Sequence, residues 1–208
     1  MEHTIQSGNA VAVVADLGGT VLGLTKNGTD ILFPYRTREG KKARGGLPMC
    51  APWFGTSPRG PKKHGYLRDS NPCERWLSAE CAVFSYYLPG QDGYPWSLKC
   101  VTMTQIYREY HIQFMLRIER MKDGIEGGAP VLPAFHPYFP FRADETEITI
   151  GERILTGFSS EARSIPLNRE KWIIVKSQRK TVEIELLGDF ENNPRSHVVL
   201  WSDSPEEY

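Results

Sequence analysis

No apolar run in the 208-residue sequence approaches the roughly 20 residues that a membrane-spanning helix requires. The first residues, MEHTIQSGNA, lack both the basic start and the apolar stretch of a secretory signal. A cytoplasmic protein without membrane partners is therefore expected. Charge of one sign is also lacking, since 25 basic residues balance 25 acidic ones. No general attraction to nucleic acid or to an anionic membrane follows, so any anion site must be built locally. Cysteine is sparse and unpatterned. Cys50, Cys73, Cys81 and Cys100 form no CxxC pair, and no histidine stands at zinc-finger spacing. Reduced thiols and no metal site are expected. A P-loop, a dinucleotide GxGxxG, a nucleophile elbow and an HExxH helix are all missing. Their absence takes support away from nucleotide chemistry and from serine hydrolysis.

Helical signals are equally scarce. The chain carries 19 glycines and 15 prolines, and its apolar residues mostly recur at every second position. AVAVVADLGGTVLGLTKNGTDILFP reads as strand, Gly-Gly bend, strand, tight turn, strand. Asn27-Gly28 supplies the turn, because both residues accept the positive φ of a type I′ hairpin. IYREYHIQFMLRIER reads as the clearest single strand. Tyr110, Ile112, Phe114, Leu116 and Ile118 share one face, and Glu109, His111, Gln113, Arg117 and Glu119 the other. TEITIGERI and KTVEIELLGDF repeat the strand pattern more briefly, and SHVVLWSD is a shorter, more continuous apolar run. Strands at this density imply one all-β domain over residues 1–208, a large antiparallel sandwich or barrel.

Two stretches break the rhythm. Residues 34–76 are long, rich in proline and glycine, and poor in alternation. A stretch of that kind in a compact domain usually binds something or covers a site. Within it, Arg44 precedes Gly45-Gly46, a pair able to turn with positive φ or to let backbone approach closely. Arg44 can offer its guanidinium fork to a phosphate or carboxylate, or simply be a solvated charge beside a turn. His64 and Arg68 lie in HGYLR. A histidine there can bond sugar hydroxyls or carry a proton, or be a structural loop residue. Lys62 and Lys63 read as solvated charges. The second stretch, residues 127–143, packs four prolines and four aromatics around His136. Aromatic walls exclude water and offer a stacking surface, which suits either a catalytic histidine or a satisfied core histidine.

Taken together, RGGLPMCAPWFG, HGYLR and AFHPYF, in that order, resemble motifs of the aldose 1-epimerase (mutarotase) superfamily. The pattern is most similar to that of the hexose-6-phosphate mutarotases, or glucose-6-phosphate 1-epimerases. LGGTVLGLTKNGTDILFP also resembles the family's first hairpins, and GYPWSLKCVTMTQIY the strands before the second histidine, so the likeness begins near residue 11. The resemblance implies a galactose-mutarotase-like β-sandwich and chemistry that uses no cofactor and no metal. It casts His136 as the acid that protonates the sugar ring oxygen and His64 as a hydrogen-bonding partner of the sugar. Arg44 and Arg68 would hold a 6-phosphate.

The sequence departs from the family pattern at two places. The family's base is a glutamate in a motif resembling C-[VL]-E-P. This chain ends VVLWSDSPEEY, where that motif would begin, and Glu206 and Glu207 do not occupy its position. The expectation is that the chain is either cut short, lacking its last strand or strands, or without the base. Many members also carry a sugar-binding aspartate in the region matching residues 164–172. Here the stretch is SIPLNREKW, with Asn168 as the substitute hydrogen-bonding group.

Three readings follow. The first is an isomerase that interconverts α and β anomers of an aldose or a hexose 6-phosphate. The second is a non-catalytic carbohydrate-binding protein on the same scaffold, suggested by the two departures. The third is a sandwich acting only in protein contacts, which requires His64 and His136 to lie far apart. Oligomeric state is not legible from the residues.

Overall fold

The computed structural model describes residues 1–38, 41–91, 93–108, 111–159, 161–167, 170–178, 180–187 and 197–200. Every pair of strands in it runs antiparallel. No helix among these residues is long and apolar enough to cross a membrane. The chain divides into two compact units, Met1–Pro140 and Phe141–Tyr208.

The first unit begins with a meander of β1 (Glu2–Ser7), β2 (Ala10–Ala15), β3 (Val21–Lys26) and β4 (Thr29–Asp30). The bend between β2 and β3 is the 3₁₀ turn Leu17–Gly19. Asn27 and Gly28 close the β3–β4 hairpin with φ of 51° and 70°, the two positive values of a type I′ turn. Then come β5 (Arg36–Arg38), β6 (Lys41–Arg44) and β7 (Met49–Cys50), so residues 34–76 are not structureless. A second meander follows, of β8 (Glu74–Leu77), β9 (Cys81–Leu88), β10 (Leu98–Tyr107) and β11 (His111–Arg120). Finally β12 (Ala134–Phe135) pairs with β7.

Alternation dictates which face each meander buries. In β2, Ala10, Ala12 and Val14 are fully buried and alternate with partly exposed neighbours. Across the second meander Thr102 sits between Phe84 and Leu116, and Cys100 between Tyr86 and Ile118. Both inward faces enter one apolar core, which also takes in Leu47, Met49, Trp53, Tyr66 and Leu67 from the irregular stretch. Burial raises the Cys50 thiol to about 11 and the Cys100 thiol to about 12, so both stay protonated at neutral pH.

One expected element is corrected. Residues 106–120 are not one strand, because β10 ends at Tyr107 and β11 starts at His111. Arg108 takes a left-handed φ of 46° and turns the chain back. Ile106 then faces Ile112 across the hairpin. The expected inward face survives, with Ile112, Phe114, Leu116 and Ile118 packed on the core. Tyr110 and Glu109 lie outside the described residues.

A buried ionic cluster anchors the first bend. Asp16 is 4% exposed, accepts two bonds from the Arg75 guanidinium at 2.9 and 3.1 Å, and lies 2.7 Å from His3 Nε2. Arg75, more than His3, holds its carboxyl well below the usual carboxylate range. Tyr86 donates its hydroxyl to the Asp16 carbonyl at 2.8 Å. Two residues on, Gly18 N–H donates to Ser70 O at 3.0 Å. That bond braces the 3₁₀ turn Leu67–Asp69, which carries Arg68.

In the second unit β13 (Glu147–Ile150), β14 (Arg153–Leu155), β16 (Trp172–Lys176) and β17 (Thr181–Glu185) form a sheet in the order β14-β13-β16-β17. Between them in sequence, β15 (Arg163–Pro166) pairs with β18 (His197–Leu200). Ile148, Ile150, Ile173 and Val175 are the buried residues of the four-stranded sheet. TEITIGERI is thus a hairpin, turned at Gly151 with φ of 57°.

Candidate functional site

The segment from Gly46 to Gly55 is the spine of the site, and the two histidine motifs are laced to it. On one side AFHPYF runs antiparallel to it. His136 N–H donates to Pro48 O at 3.0 Å, and Tyr138 N–H donates to Gly46 O at 2.9 Å. Slightly upstream, Leu132 N–H donates to Pro52 O and Phe54 N–H to Leu132 O, both at 2.8 Å. On the other side Tyr66 and Leu67 donate their amides to Ala51 O at 2.8 and 3.1 Å, and His64 donates its amide to Gly55 O at 2.8 Å. RGGLPMCAPWFG therefore places HGYLR and AFHPYF side by side, although about 70 residues separate them in sequence.

The double glycine serves that packing. Gly46 has φ of 67°, and a Cβ there would fall 2.1 Å from Val21 O. Its amide donates to Phe33 O at 2.6 Å. Both the sign of φ and the approach to backbone demand glycine. The close approach expected of this pair is thus to the protein's own chain. In the HG motif, Gly65 has φ of 72°, and a Cβ on it would lie 2.2 Å from Ala51 O.

His64 itself has φ of 67°. A left-handed non-glycine residue costs about 1–3 kcal/mol, which the surrounding bonds must offset. Here Gly55 clamps the residue twice. Its carbonyl takes the His64 amide, and its own N–H donates to His64 Nδ1 at 3.0 Å. An Nδ1 that accepts puts the imidazole proton on Nε2, so His64 is built to donate from that atom.

The ring of His64 lies 5.5 Å from that of His136, at 89°. Phe54 contacts both, at 4.8 Å and 5.5 Å between centroids. Tyr138 stacks on His136 at 4.8 Å and 27°. His136 is 8% exposed. Burial, and then the positive charges of Arg68, Arg44 and Lys63, bring its pKa down to about 4. At neutral pH the imidazole is therefore uncharged.

Of the expected residues, Arg44, His64, Arg68 and His136 gather in this one region. Arg44 ends β6 and is partly exposed, and Arg68 lies 3.9 Å from Asp69 through its Nε. Asn168 lies outside the described residues. Lys63 is exposed, as expected of a solvated charge, and its charge also bears on His136 beside those of the arginines. Phe54 lies in RGGLPMCAPWFG, where residue type alone gives it no role. Only its position between the two imidazoles reveals its role. The protein-contact reading required distant histidines, and these rings are 5.5 Å apart. Among the described residues no group of three or more His, Cys, Asp or Glu side chains is arranged to hold a metal ion.

The profile of the aldose 1-epimerase family matches residues 1–206. The chain belongs to that family. No curated protein matches the sequence. Among solved structures, a galactose mutarotase-like protein from Lactobacillus casei superimposes with a TM-score of 0.76, at 12% identity, over 100% of this chain and 85% of that one. A galactose mutarotase related enzyme from Lactobacillus acidophilus gives a TM-score of 0.74, at 12% identity, over 99% of this chain and 82% of that one. The fold is thus the expected all-β, galactose mutarotase-like one.

Proposed function

We propose that the protein is an isomerase that interconverts the α and β anomers of a hexose 6-phosphate. His136 is the general acid, His64 donates a hydrogen bond to the sugar, and Arg44 and Arg68 grip the phosphate. One observation carries the reading. Two histidines meet in a water-excluding aromatic frame while separate cations impose a positive potential on the buried one.

In the reaction His136 gives a proton to the ring oxygen as a base takes the proton of the anomeric hydroxyl. The C1–O bond of the ring breaks, and C1 becomes an aldehyde. Rotation about C1–C2 presents the other carbonyl face, and closure returns both protons with the roles reversed. We assign no residue to the base. Phe54 and Tyr138 keep the developing charges away from water, where each hydrogen bond counts for more.

The neutral state of His136 sets a condition on this scheme, because an acid needs its proton. A phosphate dianion bound by Arg68 and Arg44 cancels the positive potential that helps to depress the imidazole. The expected result is a His136 pKa near 4 in the substrate-free protein that rises on adding hexose 6-phosphate and not on adding glucose. NMR titration of the imidazole carbon-bound protons measures it, and equal titration curves with both sugars would contradict the phosphate assignment.

Arg44→Ala tests the same assignment by affinity. Loss of a charge-assisted contact weakens hexose 6-phosphate binding by about tenfold to a hundredfold. Glucose binding stays within about twofold, since a neutral sugar engages no such charge. Calorimetry with both sugars distinguishes this from a general loss of the site.

A second reading rests on the same depressed imidazole. A histidine kept uncharged is a good hydrogen-bond partner without being an acid, as a carbohydrate-binding protein would use it. Saturable binding of the sugar with no acceleration of anomer exchange at any protein concentration would decide for it.

A further inference from the structure

We propose that Trp53 is a positioning residue for His64, a role that rests on the reading of His64 as the sugar's hydrogen-bond donor. Residues 53–55 and 62–64 run alongside each other and are tied by three bonds. Trp53 Nε1–H donates to Lys62 O at 3.0 Å, Gly55 N–H donates to His64 Nδ1 at 3.0 Å, and His64 N–H donates to Gly55 O at 2.8 Å. The loop between these segments, residues 56–61 with Arg59 in it, is thus closed at one place on the spine, and Lys62 and Lys63 lie on its closing side.

Trp53 is the only one of these three ties that comes from a side chain fixed in the core. It is 4% exposed, and its ring meets Tyr66 edge-on at 5.2 Å and Tyr94 at 5.4 Å. The loop also rests on the ring, since a Cβ at Gly60 would fall 2.5 Å from Trp53 and 2.4 Å from the Tyr66 hydroxyl. Further holds are the Arg59 guanidinium over the Trp96 ring at 5.8 Å and the Lys62–Asp69 ion pair at 2.9 Å, about half exposed on both sides. A pair so exposed holds weakly. His64 meanwhile needs holding, because its left-handed backbone is not one it prefers. The indole bond two residues upstream keeps Gly55 and His64 in register, and through them the imidazole tautomer.

Replacing Trp53 by benzothienylalanine keeps the ring's shape and deletes only the N–H. Trp53→Phe repeats the deletion with a natural residue. Two readouts are taken on the folded variants. Long-range nitrogen–proton NMR of His64 reports the tautomer. It is expected to show the proton on Nε2 in the wild type and a mixture of ring states in the variants. Kinetics on hexose 6-phosphate is expected to show KM raised about threefold to tenfold, with kcat within about twofold. An unchanged tautomer together with an unchanged KM overturns the proposal. A shifted tautomer in a protein that turns over no sugar keeps Trp53's role and defeats the isomerase reading instead.

Discussion

Gly46→Ala unfolds at clearly lower denaturant concentration than the wild type, with a loss of about 2–5 kcal/mol. Two costs combine. A Cβ at φ of 67° costs about 1–2 kcal/mol for any L-residue. The same atom would stand 2.1 Å from Val21 O. Backbone in β3 cannot swing away as a long side chain could, because Val21 is also bonded to Leu47, N–H to O at 3.2 Å and in return at 2.8 Å. Forced overpacking of this kind costs about 1–3 kcal/mol. Urea unfolding measures it as a lower midpoint with an unchanged slope. The Gly46 carbonyl also receives the Tyr138 amide at 2.9 Å, so activity is lost together with stability. A midpoint equal to the wild type's would mean that the close approach of Gly46 to β3 is wrong.

His136→Ala retains the fold and loses anomer-exchange activity by about 10²–10⁴-fold, the usual worth of a positioned acid. Its backbone bond to Pro48 O at 3.0 Å does not depend on the side chain, so the AFHPYF segment stays paired to the spine. Phosphate affinity is expected to persist, because Arg44 and Arg68 remain. This combination of near-normal binding and lost turnover separates an acid from a scaffold residue. Circular dichroism and calorimetry on the variant, beside the exchange assay, supply the comparison. Weak binding together with lost turnover would instead make His136 a binding residue.

Alternation and turn chemistry carried most of the fold. The inward residues of β2 and β11 follow directly from period-2 spacing, and Asn27-Gly28 announces its own hairpin. The β10–β11 hairpin escaped for a specific reason. Ile106 and Ile112 keep the same parity across the turn, so the apolar rhythm runs on unbroken. The turning residue is Arg108, and nothing in its chemistry signals a left-handed φ of 46°. Residues 34–76 are poor in alternation because their strands are two to four residues long, too short for the pattern to register.

The site was legible as motifs and not as an arrangement. Arg44, His64, Arg68 and His136 stand out by residue type and by resemblance to the family. That Gly46–Gly55 forms a spine between them depends on long-range backbone bonds, which no local pattern encodes. The tautomer of His64 is a further case. It is set by one amide, that of Gly55, nine residues away in sequence and 3.0 Å away in space. Lys63 is exposed, as a loop lysine ordinarily is, and the effect of its charge on the buried imidazole comes from a proximity that no local pattern encodes.

Exchange of the α and β anomers of a hexose 6-phosphate, followed by NMR with wild-type protein, with His136→Ala and without protein, decides whether His136 is the acid of an anomer-exchanging enzyme. Rapid exchange is expected with the wild type and a near-uncatalysed rate with His136→Ala. Exchange just as fast in the variant, or no acceleration by the wild type, would contradict that role.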